Sequence, residues 1–241
     1  MMARVGRMAM SKLKRSESGA AMIEGAFSTM IWVPLLLGTL FFGSEFVTTL
    51  EAVQVTRDAG HMFARGVNFT TSATASNQML LARLGQQLGL ATFDGSGNVT
   101  GVNTTGPMTV TLTAIQNVSP AACAAMNGTT TCPNVGMWVV TQQVIIGNST
   151  LRTSNYTRNP LPAGEMDAVT GAVLTTTSGV YTYPYYLSDT KFQLNNFNLI
   201  PINNASGFPQ DTPAYMAESF LQTPGVPGFI GGGGIYTHTI F

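Results

Sequence analysis

Two histidines, His61 and His238, are the only side chains in this sequence whose ordinary pKa suits a general base near neutral pH. Neither falls in a pattern with a nucleophile or with further metal ligands. No H-E-x-x-H, G-x-S-x-G, Walker A or G-x-G-x-x-G string occurs. Glu165 and Asp167 stand close to Pro160, Pro162 and Gly164, the composition of a solvated loop, and two acids fall short of a Ca2+ loop. Tyr181, Tyr183, Tyr185 and Tyr186 either pack a strand edge onto the core or face a sugar or a partner subunit. The two cysteines, Cys123 and Cys132, are too few for a metal centre and lack C-x-x-C redox spacing. Outside the cytoplasm they predict a disulfide, worth about 2.5–3 kcal/mol for so short a loop in the chain-entropy picture. In a reducing compartment they are two buried thiols. The sequence thus predicts no catalytic residue, no metal site and no cofactor, in a protein that is not an enzyme.

Chemistry of another kind is written near the N-terminus, in Arg15, Ser16, Glu17, Ser18, Gly19, Ala20, Ala21, Met22, Ile23 and Glu24. A glycine closes a charged leader, four small or apolar residues follow, and a carboxylate then stands at the start of a greasy run. An ionised carboxylate in a lipid-embedded helix is expensive and marks a partner or a role. At the membrane interface the same carboxylate could instead snorkel toward water, with Gly19 serving only as a helix-start residue.

This arrangement resembles the prepilin signal of type IV pilins and their relatives. That resemblance implies cleavage by a prepilin peptidase between Gly19 and Ala20, which makes Glu24 the fifth residue of the mature chain. It also implies that the new ammonium of Ala20 meets Glu24 of a neighbouring subunit during assembly. Further residues narrow the likeness: Pro34-Leu35-Leu36-Leu37, then Glu45-Phe46, then Thr56-Arg57-Asp58-Ala59 and Ala64-Arg65. Together with the start they resemble the TadE-like proteins of tight-adherence (Flp-type) pilus systems, over roughly residues 16 to 67. Pro34 falls ten residues after Glu24, roughly one helical turn later than the family pattern. The resemblance implies a minor pilin or pseudopilin in the bacterial inner membrane, with other pilin-like subunits and the pilus assembly machinery as partners.

The elements that must position these residues follow from composition. Of 241 residues only 11 are Lys or Arg and 11 Asp or Glu. Five of the cations (Arg4, Arg7, Lys12, Lys14 and Arg15) lie in the leader. From Ala20 onward six basic residues face ten acidic ones, so the body carries 6 − 10 = −4 and cannot neutralise a row of phosphates. Nucleic acid is excluded as a partner. Gly25 to Ser44 holds twenty uncharged residues, at about 1.5 Å each enough helix to cross a bilayer core. The cationic side stays in the cytoplasm by the positive-inside rule, and the remainder is exported. A cleaved secretory signal is the rival, but this run is long for one and has no clear A-x-A exit.

The expected organisation is a basic leader over residues 1–19, a transmembrane helix with its extramembrane extension over 20–66, and a head over 67–241. Pro34 is expected to kink or break the helix. Val47, Leu50, Val53, Ala59, Met62 and Phe63 recur at helical spacing, and Gly66 and Asn68 are candidate stops. A second helix is predicted from Ser76-Asn77 to Leu88, with Leu80, Leu84 and Leu88 on its buried stripe. Met108, Val110, Leu112 and Ala114 alternate with Thr109, Thr111 and Thr113, which predicts a strand with one buried face. Strands are also predicted over 137–146, 169–177, 180–187 and 235–241. Thr212-Pro213 predicts a helix with Met216, Phe220 and Leu221 inward and Pro224 as its stop. Eight N-x-[ST] triplets, the first at Asn68, are surface composition in so Thr- and Asn-rich a chain. The fold class is α+β: a long N-terminal transmembrane helix followed by an extracytoplasmic, strand-rich mixed head.

Overall fold

A computed structural model describes residues 3–69, 77–127, 132–157, 161–195, 211–223 and 233–241. The chain divides into two units, Met1–Thr48 and Thr49–Phe241. One helix, α1 (Ala3–Ala64), supplies all the structure described in the first unit and opens the second.

Among the described residues of the first unit most large apolar side chains are exposed. Met22 is 80% exposed, Trp32 67% and Phe42 67%. The hydroxyls are turned inward instead. Thr29, Thr39 and Ser44 donate to carbonyls three residues back, at 2.9, 2.9 and 2.8 Å. Such back-bonding removes polar groups from the helix surface. The helix is long and apolar enough to cross a membrane. Of the expected kink or break at Pro34, the break is absent: the helix runs on through that residue. A proline costs one ladder bond, and the flanking turns hold the helix on either side.

α1 ends where the sequence expects. Gly66 adopts φ +79° and its N–H bonds Phe63 O at 2.9 Å, while Val67 N–H bonds Met62 O at 3.0 Å. That pair of reversed bonds is the Schellman stop, which requires a left-handed residue best supplied by glycine. The buried face matches the expected spacing at Ala59, Met62 and Phe63 and departs from it before them. Ala52, Val55, Thr56, Ala59, Gly60 and Phe63 are buried, whereas Val47, Leu50 and Val53 remain about half exposed. Small residues win this face because the sheet approaches closely. A Cβ on Gly60 would collide with the Phe241 ring and come within 3.0 Å of Ala217 Cβ.

After α2 (Asn77–Leu84) and a hairpin of β1 (Ala91–Phe93) and β2 (Val99–Val102), β3 (Met108–Asn117) begins the main sheet. α3 (Pro120–Asn127) leads to β4 (Trp138–Gly147). β5 (Thr175–Ser178) and β6 (Tyr181–Pro184) form a separate hairpin, followed by α4 (Tyr185–Ser188). β7 (Pro213–Thr223) and β8 (Gly233–Ile240) close the chain. The sheet order is β4-β3-β7-β8, antiparallel throughout. One face carries Met108, Val110, Leu112, Val144, Ile146, Ala217 and Leu221 onto the buried stripe of α1. A three-hydroxyl triangle pins the contact: Thr56 Oγ1 lies 2.6 Å from Ser219 Oγ and 2.7 Å from Thr237 Oγ1.

Four expectations are corrected here. The 212–224 segment is strand β7, not a helix. Both its faces are covered, so polar alternation is absent, and its apolar residues fit either period equally well. Pro213 is tolerated as the first strand residue. In α2 the buried residues are Gln78, Leu81 and Ala82, while Leu80 and Leu84 are 47% and 49% exposed. The helix stops at Leu84, and a separate 3-10 turn carries Leu88 inward. Thr109, Thr111 and Thr113 are buried too, because the 152–157 segment, with Leu194, covers the second face of the sheet. Finally, the strands expected over 169–177 and 180–187 shorten to β5 and β6, and Tyr185 to Ser188 turn into α4. Ser76 and Pro224 lie outside the described residues. The architecture is mixed α+β, a long apolar helix joined to a strand-rich sheet domain.

Candidate functional site

The residues singled out near the N-terminus lie on the uninterrupted stretch of α1. Gly19 is exposed, and a Cβ built there meets nothing within 4 Å. Glu24 is exposed beside Met22, Ile23 and Phe27, which are 80%, 60% and 65% exposed. The Gly19–Ala20 peptide therefore belongs to a bare helix, and the carboxylate one turn later shares its surface with apolar side chains. A carboxylate so placed needs a partner from outside its own chain, or water.

Cys123 and Cys132 stand at disulfide distance, with Cα atoms 5.6 Å apart. Cys123 lies on α3, whose start is capped by Ser119: Ala122 N–H donates to Ser119 Oγ at 3.0 Å. The Ser119 hydroxyl in turn donates to Asp211. A second core gathers here from Val118, Cys123, Val139, Val140, Leu187 and Phe192. Tyr183, Tyr185 and Tyr186 pack against it, whereas Tyr181 is 41% exposed. Most of the tyrosine cluster thus serves the core.

The imidazoles are not brought together. His61 packs on Phe241 at 4.4 Å, and His238 on Tyr236 and Tyr156 at 5.8 and 5.5 Å. Among the described residues, no three His, Cys, Asp or Glu side chains cluster to hold a metal.

The sequence reading missed Glu218. On β7 it is only 3% exposed, and its carboxylate faces the covering layer. It accepts the Ser154 hydroxyl, Asn155 N–H at 3.1 Å and the Tyr236 hydroxyl at 2.5 Å. The Arg152 guanidinium lies over the Tyr236 ring at 4.4 Å and the Phe220 ring at 5.4 Å. Burial first, and then the hydrogen bond to Glu218, hold the Tyr236 phenol well above its ordinary 10.0. The Tyr156 phenol is also pushed up, by burial and then by the Glu218 charge. The adjoining cavity, about 10 Å³ and lined by Thr109, Thr111 and Glu218 among others, has room for one water and no substrate. These bonds make Glu218 a latch for the covering layer. One signal could have revealed it: a lone glutamate among Ala217, Ser219 and Phe220, in a segment whose apolar residues also fit a strand.

Glu165 also differs from its expected solvated state. It is half-buried, and its shielded Oε2 has no hydrogen-bond partner among the described residues. Burial, and then the neighbouring Asp189 carboxylate, raise its pKa above 4.5, while Lys191 opposes them. The folded chain thus holds this proton more tightly than the unfolded chain, so stability falls as pH rises from 4.5 through the raised value. Glu165→Gln is expected to melt higher than wild type at pH 7 and to lose that advantage at pH 4. Equal differences at both pH values would show that Glu165 carries no such linkage. Asp167 works in the opposite sense. Its carboxylate accepts Val169 N–H at 3.0 Å, Thr170 N–H at 2.6 Å and the Thr170 hydroxyl at 2.8 Å, and these bonds lower its pKa.

No protein-family model, curated protein or solved structure matches this chain.

Proposed function

We propose that this chain is a structural or assembly subunit, a TadE-like minor pilin or pseudopilin, of a tight-adherence pilus or a related secretion apparatus. The observation that carries the reading is the junction itself. Gly19, Ala20 and Glu24 join a cationic leader to an exposed apolar helix. The outer turns of that same helix, from Ala52 to Phe63, pack on an antiparallel sheet. In this reading the helix resides in the bacterial inner membrane among lipid, with its N-terminus cytoplasmic and the sheet domain periplasmic or extracellular. A bond between Cys123 and Cys132 accords with that oxidising side. The prepilin peptidase removes the leader, and other pilin-like subunits cover the exposed helix.

The expected result is a mature protein that begins at Ala20, determined by mass spectrometry of the chain extracted from native membranes. A chain beginning at Met1 or Met2 would replace this reading with an uncleaved membrane-anchored adhesin or binding module. A start beyond Ser44 would make the protein secreted.

A further inference from the structure

The two edges of the main sheet are finished differently. The outer edge of β4 is paired from Trp138 to Gln143: Gln143 N–H bonds Gly171 O at 2.8 Å, Val173 N–H bonds Thr141 O at 2.9 Å, and Leu194 N–H bonds Trp138 O at 3.0 Å. β8 has no such cover among the described residues. Its register with β7 runs from Thr223↔Gly233 to Met216↔Ile240 without a shift. Phe241 and Tyr215 exchange both backbone bonds, at 2.8 and 3.1 Å. Because bonding alternates along an antiparallel pair, the odd-numbered residues of β8 face β7. The N–H and C=O groups of Gly234, Tyr236, His238 and Ile240 therefore point outward.

Edge strands ordinarily protect themselves with charge, proline or a bulge. Residues 233–241 contain no Lys, Arg, Asp, Glu or Pro, and the register with β7 shows no bulge. A cation, Arg152, lies over the Tyr236 ring. It donates to Asn155 Oδ1 at 2.8 Å, and it has no carboxylate within ion-pair distance among the described residues. His238, exposed, stacks beside the same ring with 27° between the planes.

We propose that β8 is a docking edge that takes up an extended segment of a second polypeptide as a fifth strand, with an acidic side chain on the Tyr236–His238 face. Backbone bonds to the four outward residues supply the pairing. The carboxylate supplies recognition, through Arg152. Ile235, Thr237 and Thr239 line the opposite face, where β-branched side chains of the incoming strand fit best. The inference rests on the sheet alone and stands or falls separately from the assembly role above.

The test uses the full chain in detergent micelles and two capped nine-residue peptides of alternating Thr and Val. One carries Glu and the other Lys at the central position on the Thr face. The Glu peptide is expected to bind saturably and to slow hydrogen exchange at Tyr236, His238 and Ile240, leaving the β7-bonded amides of Ile235, Thr237 and Thr239 unchanged. It should bind at least about tenfold tighter than the Lys peptide, as charge-assisted contacts require. Arg152→Gln should erase that preference while keeping the alternating protection. His238→Pro removes one outward N–H and no bond to β7, so it should abolish binding while the odd-numbered amides stay protected. Ile240→Pro repeats this nearer the strand end if His238→Pro fails to fold. The proposal is overturned by no saturable binding, by protection that does not alternate, or by full binding to a folded proline variant. Equal affinity for the two peptides overturns the acidic partner. Alternating protection that appears without peptide and grows with protein concentration assigns the edge to a second copy of this chain.

Discussion

Glu24→Gln is expected to leave insertion, removal of the leader after Gly19 and folding of the sheet domain intact, and to lower recovery of the chain in assemblies more than about a hundredfold. The carboxylate contributes nothing to its own chain's packing. It is exposed on a helix whose neighbouring side chains are exposed as well. Glutamine keeps the size and the hydrogen-bonding capacity and removes only the charge. If Glu24 meets the new ammonium of a neighbour's Ala20, the variant strands that ammonium unpaired in a low-dielectric contact. A buried charge stripped of its partner is far more damaging than an absent pair. The interfacial alternative gives the opposite result, because a snorkelling carboxylate costs little to replace and its neutral form inserts more readily. Cross-linking followed by co-purification of wild type and variant decides the matter. Equal recovery would leave Glu24 as an interfacial residue, and the prepilin reading would then stand on the mature N-terminus alone.

Glu218→Ala is expected to destabilise the sheet domain by about 3–5 kcal/mol, since each buried donor left unsatisfied costs about 1–3 kcal/mol. Three donors converge on the carboxylate, from Ser154, Asn155 and Tyr236, and two of them belong to the layer that covers β3 and β7. No cationic side chain lies within ion-pair distance among the described residues, so neutral donors alone satisfy this buried charge. Truncation would leave a void, an orphaned amide and two hydroxyls over the buried threonines of β3. Glu218→Gln keeps one carbonyl acceptor and should lose distinctly less. Denaturation followed by Trp138 emission would measure the global loss, and hydrogen exchange at Asn155 to Thr157 would show whether the covering layer opens first. A Glu218→Ala protein within about 1 kcal/mol of wild type would mean that the latch is idle, because such a loss is ordinary for any substitution.

The sequence by itself determined what local chemistry can determine. Twenty uncharged residues after a cationic stretch have one economical structure, because a helix alone satisfies every backbone group within the segment. Gly66 marked the helix end because the stop needs a left-handed residue, and the structure places it there. The strands over 137–146 and 235–241 were legible from residue type and turn signals. The cysteine pair was legible as a disulfide on condition of export, and the structure brings it to disulfide distance.

Only the tertiary structure decided which surfaces are covered on both sides. β7 looked helical because Met216, Phe220 and Leu221 fit a helical stripe, and no polar alternation betrayed a strand buried on both faces. The threonines of β3 looked solvated because their cover comes from residues 152–157, far along the chain, a long-range packing that no local pattern encodes. The same blindness hid Glu218. A lone glutamate in a supposed helix points to water, whereas in a central strand it must find donors, and those came from β8 and the covering layer. Even within α1, hydropathy pointed to Val47, Leu50 and Val53. The sheet kept Ala59 and Phe63 of that same spacing but took Ala52 and Gly60 rather than those three, because close approach rewards small residues where a closely packed partner leaves no room for larger ones.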